Sequence, residues 1–333
     1  MNSERSIGIM KRNLKLPVAV FIFVSLILSL IQMNLELEII LLERFIPGGG
    51  WIEIPIIAFY GAFISYKMQD INKSAKWRRI SWTIFSIVFF TQLALGLMGF
   101  ERFLMTGELH LPIPMMIMGG PIYRGELSFM TILFISTVIL TGPAWCSQLC
   151  YFGAIDNLRT QKNRPERGRI KNRRAVKFSF LFIIIAFILI LRWINVSVLV
   201  STMIAAAFGV GGILIIFLLS RKKGKMIQCL TWCPIGTIVN WSKYLNPFRV
   251  YIDSSCTLCM KCTSYCKYDA LNAEDLKSGT PSVTCTYCGD CLQACQVSSI
   301  KYRFFNMKPQ NARRLYLFLT VSLHAVFLAL GRI

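Results

Sequence analysis

Eight cysteines near the C-terminus restrict the possible folds of this chain more than any other feature. They form two copies of C-x2-C-x2-C-x3-C, at 256–266 and 285–295. In this spacing, three thiolates of a short loop bind one [4Fe–4S] cubane and the fourth binds the neighbouring cubane. We therefore predict two clusters. The ligand sets are Cys256, Cys259, Cys262 and Cys295 for the first, and Cys285, Cys288, Cys291 and Cys266 for the second.

Zinc and disulfides are the two alternative uses of these cysteines. Structural zinc pairs two C-x2-C knuckles over a longer gap and does not use eight sulfurs in this register. Disulfides form in secreted chains, whereas the charge pattern described below places this segment in the cytoplasm. One departure from bacterial ferredoxins is that Lys267 and Gln296 stand where a Pro usually follows the fourth Cys.

The composition of the 333-residue chain is that of a membrane protein. Hydrophobic residues make up 55% of the chain and charged residues 16%. The net charge is +21, but the basic residues lie between apolar runs, as they do in the cytoplasmic loops of membrane proteins. We therefore expect no nucleic-acid partner. The fold class expected is a polytopic α-helical membrane protein of six or seven spans with a cytoplasmic α+β domain of bacterial-ferredoxin type.

Apolar runs mark the predicted spans, which lie at 17–33, 51–68, 80–99, 127–146, 178–195 and 201–220. A further run at 315–331 either crosses the membrane as a seventh span or lies at the interface. No small-residue cleavage site follows the first run, which favours an uncleaved span over a signal peptide. Because Lys and Arg concentrate in alternate loops, we place the N-terminus and the ferredoxin domain on the cytoplasmic side of a multi-pass protein of the cell (inner) membrane.

Four segments are predicted from these patterns. They are an N-terminal two-span segment (1–79), a four-span repeat domain (80–245), a two-cluster ferredoxin domain (246–305) and a C-terminal membrane helix (306–333). Residues 249–252 and 299–302 flank the cluster motifs and alternate apolar with polar side chains. They predict a small pair of strands that closes the ferredoxin fold.

A second pair of cysteine motifs lies in the four-span domain. Cys146-x3-Cys150 and Cys229-x3-Cys233 occur in matching contexts after spans of the same direction, which predicts a parallel internal repeat. On a helix, this spacing places both sulfurs on one face. If the copies pack symmetrically, four thiols converge. They can then hold a further iron–sulfur or other soft-metal centre, or act as two redox dithiols; buried cysteines without chemistry are the remaining alternative.

Iron–sulfur clusters transfer single electrons, and a membrane domain fused to them needs a lipid-soluble redox partner, for which a quinone is the obvious substrate. Quinol oxidation needs a proton acceptor, and histidine titrates in the useful range. The two histidines, His110 and His324, are therefore weak catalytic candidates. An interfacial loop position for His110 and a helix–helix hydrogen bond for His324 explain them equally well.

Two C-x3-C motifs at cytoplasmic span ends, followed by a two-cluster ferredoxin module, resemble the membrane polyferredoxins of the NapH/NosR type. The resemblance covers about residues 80–303, with Tyr151 standing where the family usually has Pro. It implies a quinol-dehydrogenase-like component of a respiratory oxidoreductase, exchanging electrons between the membrane quinone pool and other redox subunits. The alternative function is an assembly factor that reduces copper or thiols for oxidase biogenesis. No nucleotide-binding or hydrolytic motif is evident.

Overall fold

The computed structural model describes residues 13–34, 39–103, 113–166, 168–170 and 172–330. These residues form mostly α-helices and a two-stranded sheet. The helices are α1 (Lys15–Asn34), α2 (Gly50–Met68), α3 (Ile71–Leu97), α4 (Met116–Arg124), α5 (Phe129–Thr141), α6 (Tyr151–Thr160), α7 (Arg173–Trp193), α8 (Val198–Ile215), α9 (Arg221–Lys223), α10 (Pro234–Ser242), α11 (Ala273–Lys277) and α12 (Pro309–Leu330). Single π-helical turns cover Trp145–Leu149, Ile216–Ser220 and Gln228–Trp232.

Six helical segments of the described chain are long and apolar enough to cross a membrane, which is consistent with a membrane protein. They are Lys15–Asn34, Ile71–Leu97, Met130–Leu149, Arg173–Trp193, Val198–Lys223 and Pro309–Leu330. The predicted span at 51–68 forms α2 but is not among the six, because Glu53 and Lys67 lower its mean hydropathy. Residues 315–330 of the last apolar run lie within α12, which has the length and composition of a span.

Hydroxyl and carboxylate side chains define the starts of three of these helices. The side chains of Asp70, Ser128 and Ser197 accept backbone N–H groups of the first turns of α3, α5 and α8, at 3.0, 3.3 and 3.4 Å. Such N-caps satisfy amide groups that have no partner within the helix. The cap at Asp70 explains why α3 begins at Ile71, well before the apolar run at 80 that indicated this span.

The chain divides into two compact units. Unit 1 contains Met1–His110, Phe248–Cys259 and Cys288–Ile333, and unit 2 contains Leu111–Pro247 and Met260–Tyr287. The division runs through both C-x2-C-x2-C-x3-C motifs. Unit 1 therefore carries Cys256, Cys259, Cys288, Cys291 and Cys295, and unit 2 carries Cys262, Cys266 and Cys285. The four segments expected from the sequence stay a prediction.

Helices α1, α2 and α12 form the core of unit 1. The side chains at its centre are at most 1% exposed: Val20, Val24, Leu28, Ala58, Val321 and Ala325. Gly61 lies where these helices meet, and a Cβ at this position would be 3.1 Å from Ala325 Cβ and 3.3 Å from Val20 Cγ1. A small residue at the crossing lets the helix backbones approach closely, as is common between membrane helices.

The sheet of unit 1 consists of β1 (Phe248–Ile252) and β2 (Ile300–Phe304), which pair antiparallel with Phe248 opposite Phe304 and Ile252 opposite Ile300. This confirms the two strands predicted on either side of the cluster motifs. Phe248 lies edge-on to Tyr316 with ring centroids 5.2 Å apart, so the strands pack against α12.

Candidate metal centres

The two C-x2-C-x2-C-x3-C segments have the same backbone conformation. Positive φ angles occur at three equivalent positions in each segment. These are the residue before the second Cys, the residue after it, and the third residue after the fourth Cys. The pairs are Leu258 (54°) and Tyr287 (57°), Met260 (59°) and Gly289 (79°), and Asp269 (52°) and Ser298 (52°). Residues other than glycine rarely adopt such angles, so their recurrence at one offset identifies the segments as structural repeats. Left-handed residues in a turn direct amide groups towards a common anion site.

Backbone amides donate to the last sulfur of each segment. The N–H of Ala270 lies 3.2 Å from Cys266 Sγ, and the N–H of Ser299 lies 3.3 Å from Cys295 Sγ. In both segments the donor is the fourth residue after the cysteine. Hydrogen bonds to a thiolate favour its charged form and tune the potential of a bound cluster.

A buried carboxylate anchors each segment. Asp290 lies between Cys288 and Cys291 and accepts two hydrogen bonds from the fully buried Arg78, from Nε at 2.8 Å and from Nη2 at 2.7 Å. This pair belongs to unit 1 and fixes the second loop against α3.

Asp269, three residues after Cys266, has the same role in unit 2. Its carboxylate lies 2.7 Å from Lys225 Nζ and 3.0 Å from Arg173 Nη1. All three side chains are less than 10% exposed. Two cations on one carboxylate therefore hold the end of the first motif against the start of α7 and the turn that follows α9.

The two C-x3-C motifs share one local structure, and the parallel repeat of the whole four-span domain stays a prediction. Each first cysteine lies in a π-helical turn, and each second cysteine is the non-helical N-cap of the following helix, with φ and ψ of −77° and 114° at Cys150 and −83° and 112° at Cys233. The N–H groups of Gly153 and Gly236 donate to these two sulfurs at 3.4 Å. The expectation that both cysteines of a motif lie on one helix face is therefore wrong, because the helix ends between them.

The four thiols of the C-x3-C motifs converge. Cys229 is close enough to Cys146, Cys150 and Cys233 for electrostatic interaction, and Cys146 interacts likewise with Cys150 and Cys233. Cys146, Cys150 and Cys233 are each 8% exposed. Lys177, which is 5% exposed, interacts with three of the thiols and lies 3.5 Å from the carbonyl oxygen of Cys229.

Burial disfavours ionisation of these thiols. Burial raises the pKa of Cys150 to about 12 and raises the pKa of both Cys229 and Cys233. Thiol–disulfide exchange requires a thiolate, so thiols that resist ionisation react poorly. A bound metal instead deprotonates its thiol ligands outright. An all-sulfur donor set suits iron–sulfur clusters and other soft metals.

Within the described part of the chain, no three acidic, histidine or cysteine side chains are arranged to hold a single metal ion. Around zinc, four sulfurs crowd one ion at bonds of about 2.3 Å. In a cubane each sulfur binds a different iron, so the sulfurs stand farther apart. The four ligands of an iron–sulfur cluster are therefore farther apart than those of a zinc ion.

Three hydrogen bonds within unit 2 join the segment 260–287 to the first C-x3-C motif and to Met226, three residues before the second motif. The Tyr268 hydroxyl donates to the carbonyl of Cys146 at 2.8 Å, the Ser147 hydroxyl donates to the carbonyl of Thr286 at 3.3 Å, and the Met226 N–H donates to the carbonyl of Lys267 at 3.0 Å.

The donors and acceptors on the ferredoxin side directly follow Cys266 and Cys285 in the chain. These two cysteines also interact electrostatically with each other, as expected for ligands of one cluster. The segments that follow two predicted ligands of the second cluster therefore contact the first C-x3-C motif.

The sequence did not predict a structural role for Lys267, although the absence of the usual Pro at this position was a signal of one. Its ammonium group donates to the carbonyl oxygens of Thr160 at 2.8 Å and Asn163 at 2.7 Å. Thr160 is the last residue of α6, so Lys267 caps the C-terminus of this helix and complements its dipole.

We expect Lys267→Pro to destabilise the protein by about 3 kcal/mol, because it removes two charge-assisted hydrogen bonds and leaves buried carbonyls without a partner. The loss should appear as a lower midpoint of thermal unfolding in detergent. Gln296→Pro is the matched control, since Gln296 follows the fourth cysteine of the other segment and is exposed. Equal midpoints for the two variants would contradict the capping role.

His110 lies outside the described residues. His324 is 2% exposed, and its Nε2 lies 3.1 Å from the hydroxyl of Tyr60 on α2. Its ring also lies 5.4 Å from that of Phe85. The contact with Tyr60 is the helix–helix hydrogen bond that was the alternative explanation for this histidine.

Comparison with known proteins identifies the class of this site. Residues 125–165 match a family model described as a 4Fe-4S binding domain. The matched stretch contains α5, the motif Cys146-x3-Cys150 and α6. The chain thus carries an iron–sulfur binding domain of ferredoxin type together with six helices able to cross a membrane. No curated protein and no solved structure matches the chain.

Proposed function

We propose that this protein is a membrane-bound electron-transfer subunit that exchanges electrons between the quinone pool and partner redox proteins, as its resemblance to the NapH type implies. Bound clusters supply one-electron chemistry, and the chain positions and tunes them. The observation that carries the proposal is a pair of hydrogen bonds in unit 2 between the first C-x3-C motif and residues close in sequence to Cys266 and Cys285. The Tyr268 hydroxyl donates to the carbonyl of Cys146, and the Ser147 hydroxyl donates to the carbonyl of Thr286. These bonds give the ferredoxin segment a short connection to the membrane helices.

The four thiols of the C-x3-C motifs are proposed to hold a further iron–sulfur centre, in addition to the two clusters of the C-terminal cysteines. The family match over Cys146 and Cys150 and the convergence of all four sulfurs support this assignment. Lys177 supports it as well, because a buried cation offsets part of the negative charge of four thiolates.

The first cluster is the proposed contact with partner subunits on the cytoplasmic side. Cys259 is exposed, and Leu258 beside it is 42% exposed. An exposed ligand with an apolar neighbour is a suitable surface for a transient redox partner, since electron transfer requires close approach.

Metal analysis of cysteine variants tests the number of centres. We expect Cys146→Ser and Cys229→Ser each to lose about one third of the iron and acid-labile sulfide per chain, because one of three cubanes loses its ligands. Cys259→Ser should lose a similar amount of iron. In an EPR-monitored redox titration, however, the signal that disappears should differ from the one lost in the C-x3-C variants. Unchanged iron in both C-x3-C variants would remove the additional centre from the proposal.

Redox exchange with a quinone tests the substrate. Clusters of the reconstituted, reduced protein should reoxidise when a quinone is added, and oxidised clusters should bleach with quinol. A protein inert to both reagents that reduces Cu(II) would instead support the alternative function in oxidase assembly.

A further inference from the structure

Unit 2 contains a cleft with a volume of about 130 Å³ between α4, α7 and α8. Its lining is largely apolar and includes Met115, Met116, Phe187, Ala205 and Phe208. Helices α7 and α8 belong to two of the segments able to cross a membrane. A ligand of this cleft would therefore enter from the lipid phase and be mainly apolar itself.

One polar group in the lining lacks a partner. Ser201 Oγ is buried, and no donor or acceptor of the described residues lies within hydrogen-bond reach of it. Threonine hydroxyls in two other apolar helices, α5 and α12, bond to the carbonyl four residues earlier, as Thr137, Thr141 and Thr320 do at 2.7, 2.8 and 2.8 Å. Because an unsatisfied buried hydroxyl costs free energy, Ser201 indicates a ligand that carries an oxygen.

Aromatic rings connect the cleft with the thiol motifs. Phe208 lines the cleft and stacks on Trp232, with ring centroids 5.0 Å apart and ring planes 18° apart. Trp232 lies between Cys229 and Cys233, and its Nε1 donates to the carbonyl of Phe208 at 3.4 Å.

A glycine on α8 makes this stacking possible. A Cβ at Gly211 would lie 3.2 Å from Trp232 Cζ2, closer than most such contacts allow, so glycine lets the indole ring lie against the helix. The stacked rings of Phe208 and Trp232 thus connect the cleft with the second C-x3-C motif.

We propose that this cleft binds the head group of a quinone or quinol, with Ser201 hydrogen-bonded to one ring oxygen and Phe208 beside the ring. The inference rests on the proposed function and adds the location of the substrate. A flat, apolar ring with oxygen at its edge matches the apolar lining and the unpaired hydroxyl, in a cleft between two helices that are able to cross a membrane. A lipid acyl chain is the competing occupant, but it uses neither the hydroxyl nor the stacked rings.

The test measures binding of menadione and decylubiquinone to the full-length chain in detergent, by quenching of tryptophan fluorescence and by the quinone retained on the protein. Ala205→Phe fills the cleft and should weaken binding at least about tenfold. Ser201→Ala removes one hydrogen bond and should weaken binding about two- to tenfold. Because Ser201 has no partner within the described structure, this second variant should fold as the wild type does.

Ala207→Phe is the matched control. Ala207 lies two residues from Ala205 on the same helix, but it is exposed and does not line the cleft. Its quinone affinity should equal that of the wild type. Weaker binding in this control than in Ala205→Phe would overturn the proposal.

The outcomes separate this inference from the proposed function. If quinone reoxidises the wild-type clusters while Ala205→Phe and Ser201→Ala bind as tightly as the wild type, the location is wrong and the function stands. If Ala205→Phe loses copurified phospholipid but keeps its quinone affinity, the cleft is a lipid site. If the wild type neither binds quinone nor reacts with it, the quinone substrate itself is excluded.

Discussion

Replacing Arg78 with Met is expected to lower the free energy of unfolding by about 3–5 kcal/mol, because the carboxylate of Asp290 would remain buried without its counterion. Arg78 is fully buried, makes a bidentate contact with Asp290 and lies 5.0 Å from the ring centroid of Trp82. Asp290 lies between two proposed ligands of the second cluster. The iron bound per chain should therefore fall together with the midpoint of thermal unfolding.

Two further variants separate the lost ion pair from general damage to α3. Lys76→Met removes a cation from the same helix at an exposed position and should change neither quantity. The double variant Arg78→Met, Asp290→Leu should recover most of the stability, because replacing both buried ions by apolar groups of similar volume is nearly neutral. If Arg78→Met keeps the iron content and unfolding midpoint of Lys76→Met, the pair does not anchor the loop.

Asp269→Asn is expected to destabilise the protein by a similar amount, about 3–5 kcal/mol, since it leaves Arg173 and Lys225 buried without an anion. Asparagine is the informative substitution because Asp269 has a φ of 52°, a conformation that asparagine tolerates better than alanine. The backbone turn is thus retained while the charge is lost. Denaturant unfolding in detergent and iron content measure the result.

Asp253→Asn provides the comparison. Asp253 pairs with Lys301, but these side chains are 22% and 37% exposed. The contact with Lys301 lowers the pKa of Asp253, yet an ion pair this open to solvent contributes only about 0–1 kcal/mol. An equal decrease in the free energy of unfolding in Asp269→Asn and Asp253→Asn would show that burial does not make the Asp269 ion pairs more stabilising than an exposed pair.

Local patterns in the sequence predicted local structure well. The strands beside the cluster motifs and the long apolar helices follow from spacing and periodicity, which act between near neighbours. The π-helical turns could not be predicted in this way, because the spacing Cys-x3-Cys fits a regular helix equally well. Only the N-cap geometry of Cys150 and Cys233 shows that the helix ends between the two cysteines.

Contacts between distant residues could not be predicted. Arg78 and Asp290 are 212 residues apart in the chain. In the sequence, Arg78 is a basic residue beside an apolar run, and the positive charge expected of cytoplasmic loops was sufficient to explain it. The same holds for Lys267, whose partners lie 104 and 107 residues away. The stacking of Phe208 on Trp232 likewise depends on how α8 packs, which periodicity does not specify.

The N-cap position of two cysteines determines how substitutions there should be interpreted. Cys150 and Cys233 each accept an N–H from the first turn of the following helix. Serine is among the best residues for that task and alanine is among the poorest, a difference of about 1 kcal/mol. A serine in either place thus removes the sulfur ligand but keeps the N-cap of the helix. An alanine removes both the ligand and the N-cap, so the two losses cannot be told apart. Comparing these substitutions distinguishes what sulfur contributes as a ligand from what it contributes to the architecture.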